Sequence, residues 1–266
     1  MIQNPPIVVY PPCTDGAGLE ETTVQGLYGC WRDLYIWVWQ AYDLSDSSWR
    51  GAGFDDACNV ARPFGKVVNA VFLINYALSD NYIPQWHSTE DYQSSSRAAD
   101  NRFHGPFYMQ LDTSPQTALA RAQTGRFLTR DRTKLFCGVF NAASGSNLPS
   151  TRAGVLVHES WHHWLYKHDF VTSHRKCGSQ DCDFYYFHGS GAYDFGQLDR
   201  YDTAPDHLRF HSPYQIEVEF LADLAEMSQP WVPVIVTQAA RATGNGKLAN
   251  RFANAPGYLI GNPRPF

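Results

Sequence analysis

The sharpest chemical signal in the 266-residue chain is His158, Glu159 and His162, within Gly154-Val-Leu-Val-His158-Glu159-Ser-Trp-His162-His-Trp-Leu-Tyr166. Val155, Leu156, Val157, Trp161, Trp164 and Leu165 make this stretch largely apolar, which suits a helix buried beneath a cleft. Residues four apart on an α-helix lie about 40° apart around its axis, so His158 and His162 offer their imidazoles to one point. That fills two of the four positions of a Zn2+ ion. Glu159, about 100° round from His158, reaches a water on such an ion while staying outside the ligand set, where a general base belongs. Chance rarely produces the pattern: shuffling a chain with 10 His gives it roughly one time in a hundred.

A third ligand has to come from another element. Pro213-Tyr-Gln-Ile-Glu217-Val-Glu219-Phe-Leu-Ala-Asp223-Leu-Ala-Glu226-Met227 opens with Pro and reads as a helix with acids on an otherwise apolar surface. Glu219 and Asp223 share a face, whereas Glu217 lies about 160° away from Glu219. Only one of the two glutamates can therefore face the site beside Asp223, and Glu219 is chosen as the ligand. Asp223 is expected to accept a hydrogen bond from the far nitrogen of His158, fixing the tautomer of the ring. A donor for a tetrahedral oxyanion is sought among His207, His211, Tyr193 and Tyr214, and His211, just ahead of the acidic helix, is selected. His163, about 100° round from His162, is expected to face away from the metal.

The segment Val157-His158-Glu159-Ser160-Trp161-His162 resembles the active-site helix of the zincin metallopeptidases. The downstream Glu219-x-x-x-Asp223 is similar to the gluzincin branch, in which a second helix supplies a glutamate ligand. The resemblance covers two helices and implies an α+β zincin-like fold: a small sheet, the active-site helix and a mostly helical C-terminal part. It also implies hydrolysis of peptide bonds by a zinc-activated water with Glu159 as base, and an edge strand that pairs with extended substrate. A rival ligand is Asp194: Gly189-Ser-Gly-Ala-Tyr-Asp194-Phe-Gly196 is partly similar to the aspzincin signature, but its Asp stands two places late and Ser replaces Thr.

The surrounding elements follow from periodicity. Residues 1–22 read as an extended arm, and Leu27, Trp31, Leu34, Tyr35, Val38 and Tyr42 predict a helix over 27–42. A second helix is expected over 65–78, strands over 107–112 and 134–140, and a short helical piece over 117–123 between them. Ser150 or Thr151 is expected to cap the histidine helix, which runs to about 168. A last helix is read over 231–242, with a tail from Gly244 onward. No repeat or linker divides the chain, so residues 1–266 are read as one catalytic domain with its cleft between portions 1–150 and 151–266.

Composition sets the class. A hydrophobic content of 44% and a net charge of −5 describe a compact globule without the basic surface of a nucleic-acid binder. No apolar run is long enough for a membrane span, and the start lacks a signal-peptide pattern. Six Cys, an even number, favour disulfides, with Cys177 and Cys182 able to close a small loop, and hence a secreted or extracellular protein acting on peptide or protein substrates. Two other classes stay open: another zinc hydrolase, such as an amidase or a toxin-like effector, and a binding protein on a zincin scaffold without turnover.

Overall fold

The computed structural model describes residues 16–29, 31–42, 58–76, 108–114, 118–123, 132–140, 148–167, 170–177, 180–187, 213–226 and 230–251, with Cys13, Leu44 and Trp49. In chain order the elements are α1 (Leu19–Tyr28), α2 (Arg32–Ala41), α3 (Pro63–Tyr76), β1 (Tyr108–Asp112), β2 (Ala120–Gln123), β3 (Arg132–Phe136), α4 (Pro149–Lys167), β4 (Phe170–Cys177), β5 (Gln180–Phe187), α5 (Pro213–Glu226) and α6 (Val234–Arg251). A 3₁₀ turn, Cys137–Val139, follows β3. This is a mixture of helices with small sheets.

The single helix expected over 27–42 is two helices, and α1 begins inside the expected arm. Gly29 ends α1 at φ 60°, a left-handed conformation open to glycine, and its N–H closes the last turn on the Gln25 carbonyl at 2.7 Å. The piece read as helical over 117–123 contains strand β2 instead, because cross-strand bonding to β3 overrides the weak local preference of four residues. The second expected strand stops at Phe136 and turns into the 3₁₀ segment. The expected tail is also corrected: Gly244 and Gly246 lie inside α6, which packs on α5. The antiparallel pair of strands β4 and β5 lies where periodicity predicts no element.

The sheet order is β1-β3-β2, with β1 parallel and β2 antiparallel to β3. Helix α4 packs against β2, α3, α5 and α6, so it lies at the centre of the fold. One cluster of buried apolar side chains runs from Val24, Leu34 and Val67 through Leu111 and Leu135 to Val155, Leu221 and Val236, joining both portions of the chain. Cys13 and Cys137 are joined as a disulfide with Cα atoms 4.6 Å apart, and Cys58 is also disulfide-bonded. Among the described residues no helix is long and apolar enough to cross a membrane.

The first half of α4 is held by buried charge. Its start at Pro149 puts Ser150 and Thr151 inside the first turn rather than at the cap. The Ser150 N–H, one of the donors that a helix start leaves unpaired, goes to Oε1 of Glu20 on α1 at 2.9 Å. Arg152, fully buried, donates to Oε1 of Glu21 at 2.8 Å, to the Lys66 carbonyl at 3.1 Å and to the Val139 carbonyl at 3.2 Å. Lys66, also buried, donates to the Phe140 carbonyl at 2.8 Å. These bonds tie α4 to α1, α3 and the turn after β3, and a buried charge demands such partners.

Candidate metal centre

His158 and Glu159 are buried on α4, and His162 is half-buried one turn later. The rings of His158 and His162 have centroids 5.0 Å apart and planes inclined by 70°, so the helical spacing does bring the two imidazoles together. His163 takes a different direction: it is buried, and its Nε2 lies 3.1 Å from Oγ1 of Thr133 on β3. Ser160 donates back to the Val157 carbonyl at 2.7 Å. The five polar residues from His158 to His163 are thus sorted by angle around the helix.

Glu159 meets the sheet. Its Oε2 accepts the backbone N–H of Ala122 at 2.5 Å. The register explains which groups of β2 face it: Phe136 N–H bonds the Leu119 carbonyl at 3.0 Å, and Arg121 pairs with Lys134, so positions 119 and 121 turn to β3. By alternation Ala120 and Ala122 present their N–H and C=O groups outward. Among the described strands β2 is an edge, so its outward groups line the side on which Glu159 sits.

The third component is a correction. Glu217, expected to turn away, is almost fully buried, and its Oε2 lies 3.3 Å from Nδ1 of His158. Its Oε1 lies 2.7 Å from Nζ of Lys247 on α6. Burial alone would raise the pKa of this carboxyl, but the Lys247 ammonium and the His158 ring outweigh it and hold the carboxyl down at about 2. The rotation of α5 follows from packing. Gly154, one turn before His158, has no side chain, and a Cβ there would lie 3.3 Å from Cγ and Oε1 of Glu217 and 3.4 Å from Cδ1 of Leu221. The close approach at Gly154 lets Glu217 lie along α4. A carboxylate that stands at Nδ1 of His158 is therefore that of Glu217, the glutamate that helical angles alone had turned away. Asp223 is buried further along α5.

The side chain of Glu219, together with His211 and Asp194, lies outside the described residues. Among the described residues no group of three or more His, Cys, Asp and Glu side chains is arranged to hold a metal ion. What is described nonetheless fits one. A carboxylate beside Nδ1 of His158 is the partner that metal-binding histidines usually have on the ring nitrogen away from the metal. Sequence reasoning missed Glu217 and Lys247. The available signal was the spacing of Glu217, Leu221 and Leu224, an i, i+4, i+7 face that marks the buried side of α5.

No protein-family model matches the chain, and it has no match among curated proteins or among solved structures.

Proposed function

We propose that the protein is a zinc-dependent metallopeptidase of zincin type, acting outside the cell on peptide or protein substrates. The observation that carries the reading is the pairing of His158 with His162 on a buried helix, with Glu159 beside them on the outward edge of β2. Zinc, when bound, supplies Lewis acidity that brings the deprotonation of water near neutral pH and polarises a peptide carbonyl.

The chain's own residues do the rest. His158 and His162 bind through neutral imidazoles, and a glutamate of α5 completes the set. The Glu219-x-x-x-Asp223 spacing supports Glu219 as that ligand, while the position of Glu217 favours it as the backing group of His158. Glu159 takes a proton from the attacking water and passes it to the departing amine. The outward N–H and C=O of Ala120 and the C=O of Ala122 pair with an extended substrate, while the Ala122 N–H holds Glu159, so β2 aligns the main chain alongside the base. His211 donates to the developing oxyanion.

Cleavage of a mixed peptide library, with and without a chelator, tests the activity, and elemental analysis tests the metal. About one zinc per chain, lost in His162→Ala, and cleavage abolished by chelation are expected. Zinc without any cleavage would favour a binding scaffold or a hydrolase of another substrate. Glu219→Ala should lose zinc and Glu217→Ala should retain it at about 10–100-fold weaker affinity. If only Glu217→Ala strips the metal, Glu217 is the ligand.

A further inference from the structure

Lys247 has no place in the chemistry above, yet it reaches a buried carboxylate that touches the candidate centre. It sits on α6, is about one-fifth exposed, and places Nζ 2.7 Å from Oε1 of Glu217, whose own side chain is 1% exposed. The other oxygen of the same carboxylate lies 3.3 Å from Nδ1 of His158. Three elements, α6, α5 and α4, thereby contribute to one line of groups ending at the imidazole.

We propose that Lys247 is a positioning residue: by fixing one oxygen of Glu217 it sets the other against Nδ1 of His158, holding that ring in the Nδ1–H tautomer with Nε2 presented toward the metal. The proposal rests on the reading of His158 as a ligand. A carboxylate on a flexible side chain can rotate about its last bond and exchange its oxygens. An ammonium anchored on one oxygen removes that freedom and leaves a single acceptor directed at the ring. The close packing at Gly154 fixes the stem of Glu217, and Lys247 fixes its head. A neutral histidine can carry its proton on either nitrogen, and only one of the two tautomers leaves Nε2 bare for a metal.

The measurement is made on Lys247→Met, which keeps the length and apolar stem of the side chain but removes its charge and donors. In metal-free protein, ¹⁵N shifts of the His158 ring should report the Nδ1–H tautomer in the wild type and a mixture in Lys247→Met. Lys247→Arg, which restores a donor to the carboxylate, should recover the wild-type pattern. Zinc competed against a chromophoric chelator should bind about tenfold more weakly to Lys247→Met, at unchanged far-ultraviolet circular dichroism. A His158 ring with the same tautomer in wild type and Lys247→Met overturns the proposal, as does a wild-type ring protonated at Nε2. Failure of the wild type to bind zinc would instead remove the metal reading, because the tautomer is read without metal.

Discussion

The placement of Glu159 and the two histidines beside it is legible from the sequence because it depends on the angles of one helix. Those angles are fixed by backbone geometry whatever the tertiary fold. The structure adds that Glu159 accepts a hydrogen bond from β2. Glu159→Gln keeps an oxygen for that bond but cannot take a proton near neutral pH. Zinc content and folding should therefore match wild type, while peptide hydrolysis falls by about 10²-fold or more. Near wild-type cleavage by a zinc-loaded Glu159→Gln protein would falsify the role of base. Which glutamate of α5 meets His158 was not legible, since Glu217 and Glu219 are both acids of one helical pattern and only packing chooses the rotation of that helix.

At the scale of elements, two features of α4 make opposite demands. The first is the close approach to α5 at Gly154. Gly154→Leu pushes into Glu217 and Leu221, and should lower stability by about 1–3 kcal/mol and weaken zinc binding. Gly246→Ala is the control: nothing lies within 4 Å of a Cβ there, so the gain in helix propensity, up to about 1 kcal/mol, should appear undiminished. Comparable unfolding midpoints for Gly154→Leu and wild type would remove the packing argument.

The second feature is the start of α4, which depends on Glu20. Burial raises that carboxyl from its ordinary 4.5 to about 7, against the hydrogen bonds from Ser150 that lower it. A carboxyl with a raised folded pKa keeps its proton when the unfolded chain has released its own. Folding then takes up a proton between these values, and stability falls as pH rises from about 4.5 to about 7. Above that window the whole penalty applies, on the order of 3 kcal/mol. Glu20→Gln retains an acceptor for the Ser150 N–H, so in urea unfolding it should match wild type near pH 4 and exceed it in stability near pH 8. Parallel pH profiles for the two proteins would show that Glu20 does not carry the dependence.

At the scale of the whole molecule, one core joins the helices before the sheet to those after it, and the Cys13–Cys137 disulfide closes a sequence separation of 124 residues. By chain entropy a closed loop of about 100 residues stabilises by roughly 4.7 kcal/mol, and loss of such a bridge typically costs about 2–5 kcal/mol. The Cys13→Ala/Cys137→Ala double variant should unfold at correspondingly lower urea than the wild type under non-reducing conditions. The proposed extracellular setting has the same origin, since disulfides persist in oxidising compartments.

The sequence by itself determined what periodicity and angle determine: the histidine helix, the helix opening at Pro213, the approximate extents of α3 and β1, and the meeting of His158 with His162. Each is a local property, set by repeats of apolar residues or by the geometry of one turn. Only the tertiary structure decided the rest. Glu20 reaches Ser150 across 130 residues of chain, β2 is a strand because β3 lies beside it, and α6 continues through two glycines against α5. Glu217 lies at His158 because Gly154 lets α5 approach and Lys247 takes the other carboxylate oxygen. These choices rest on partners distant in sequence, whose burial and charge outweigh the weak local preferences of the residues that make them.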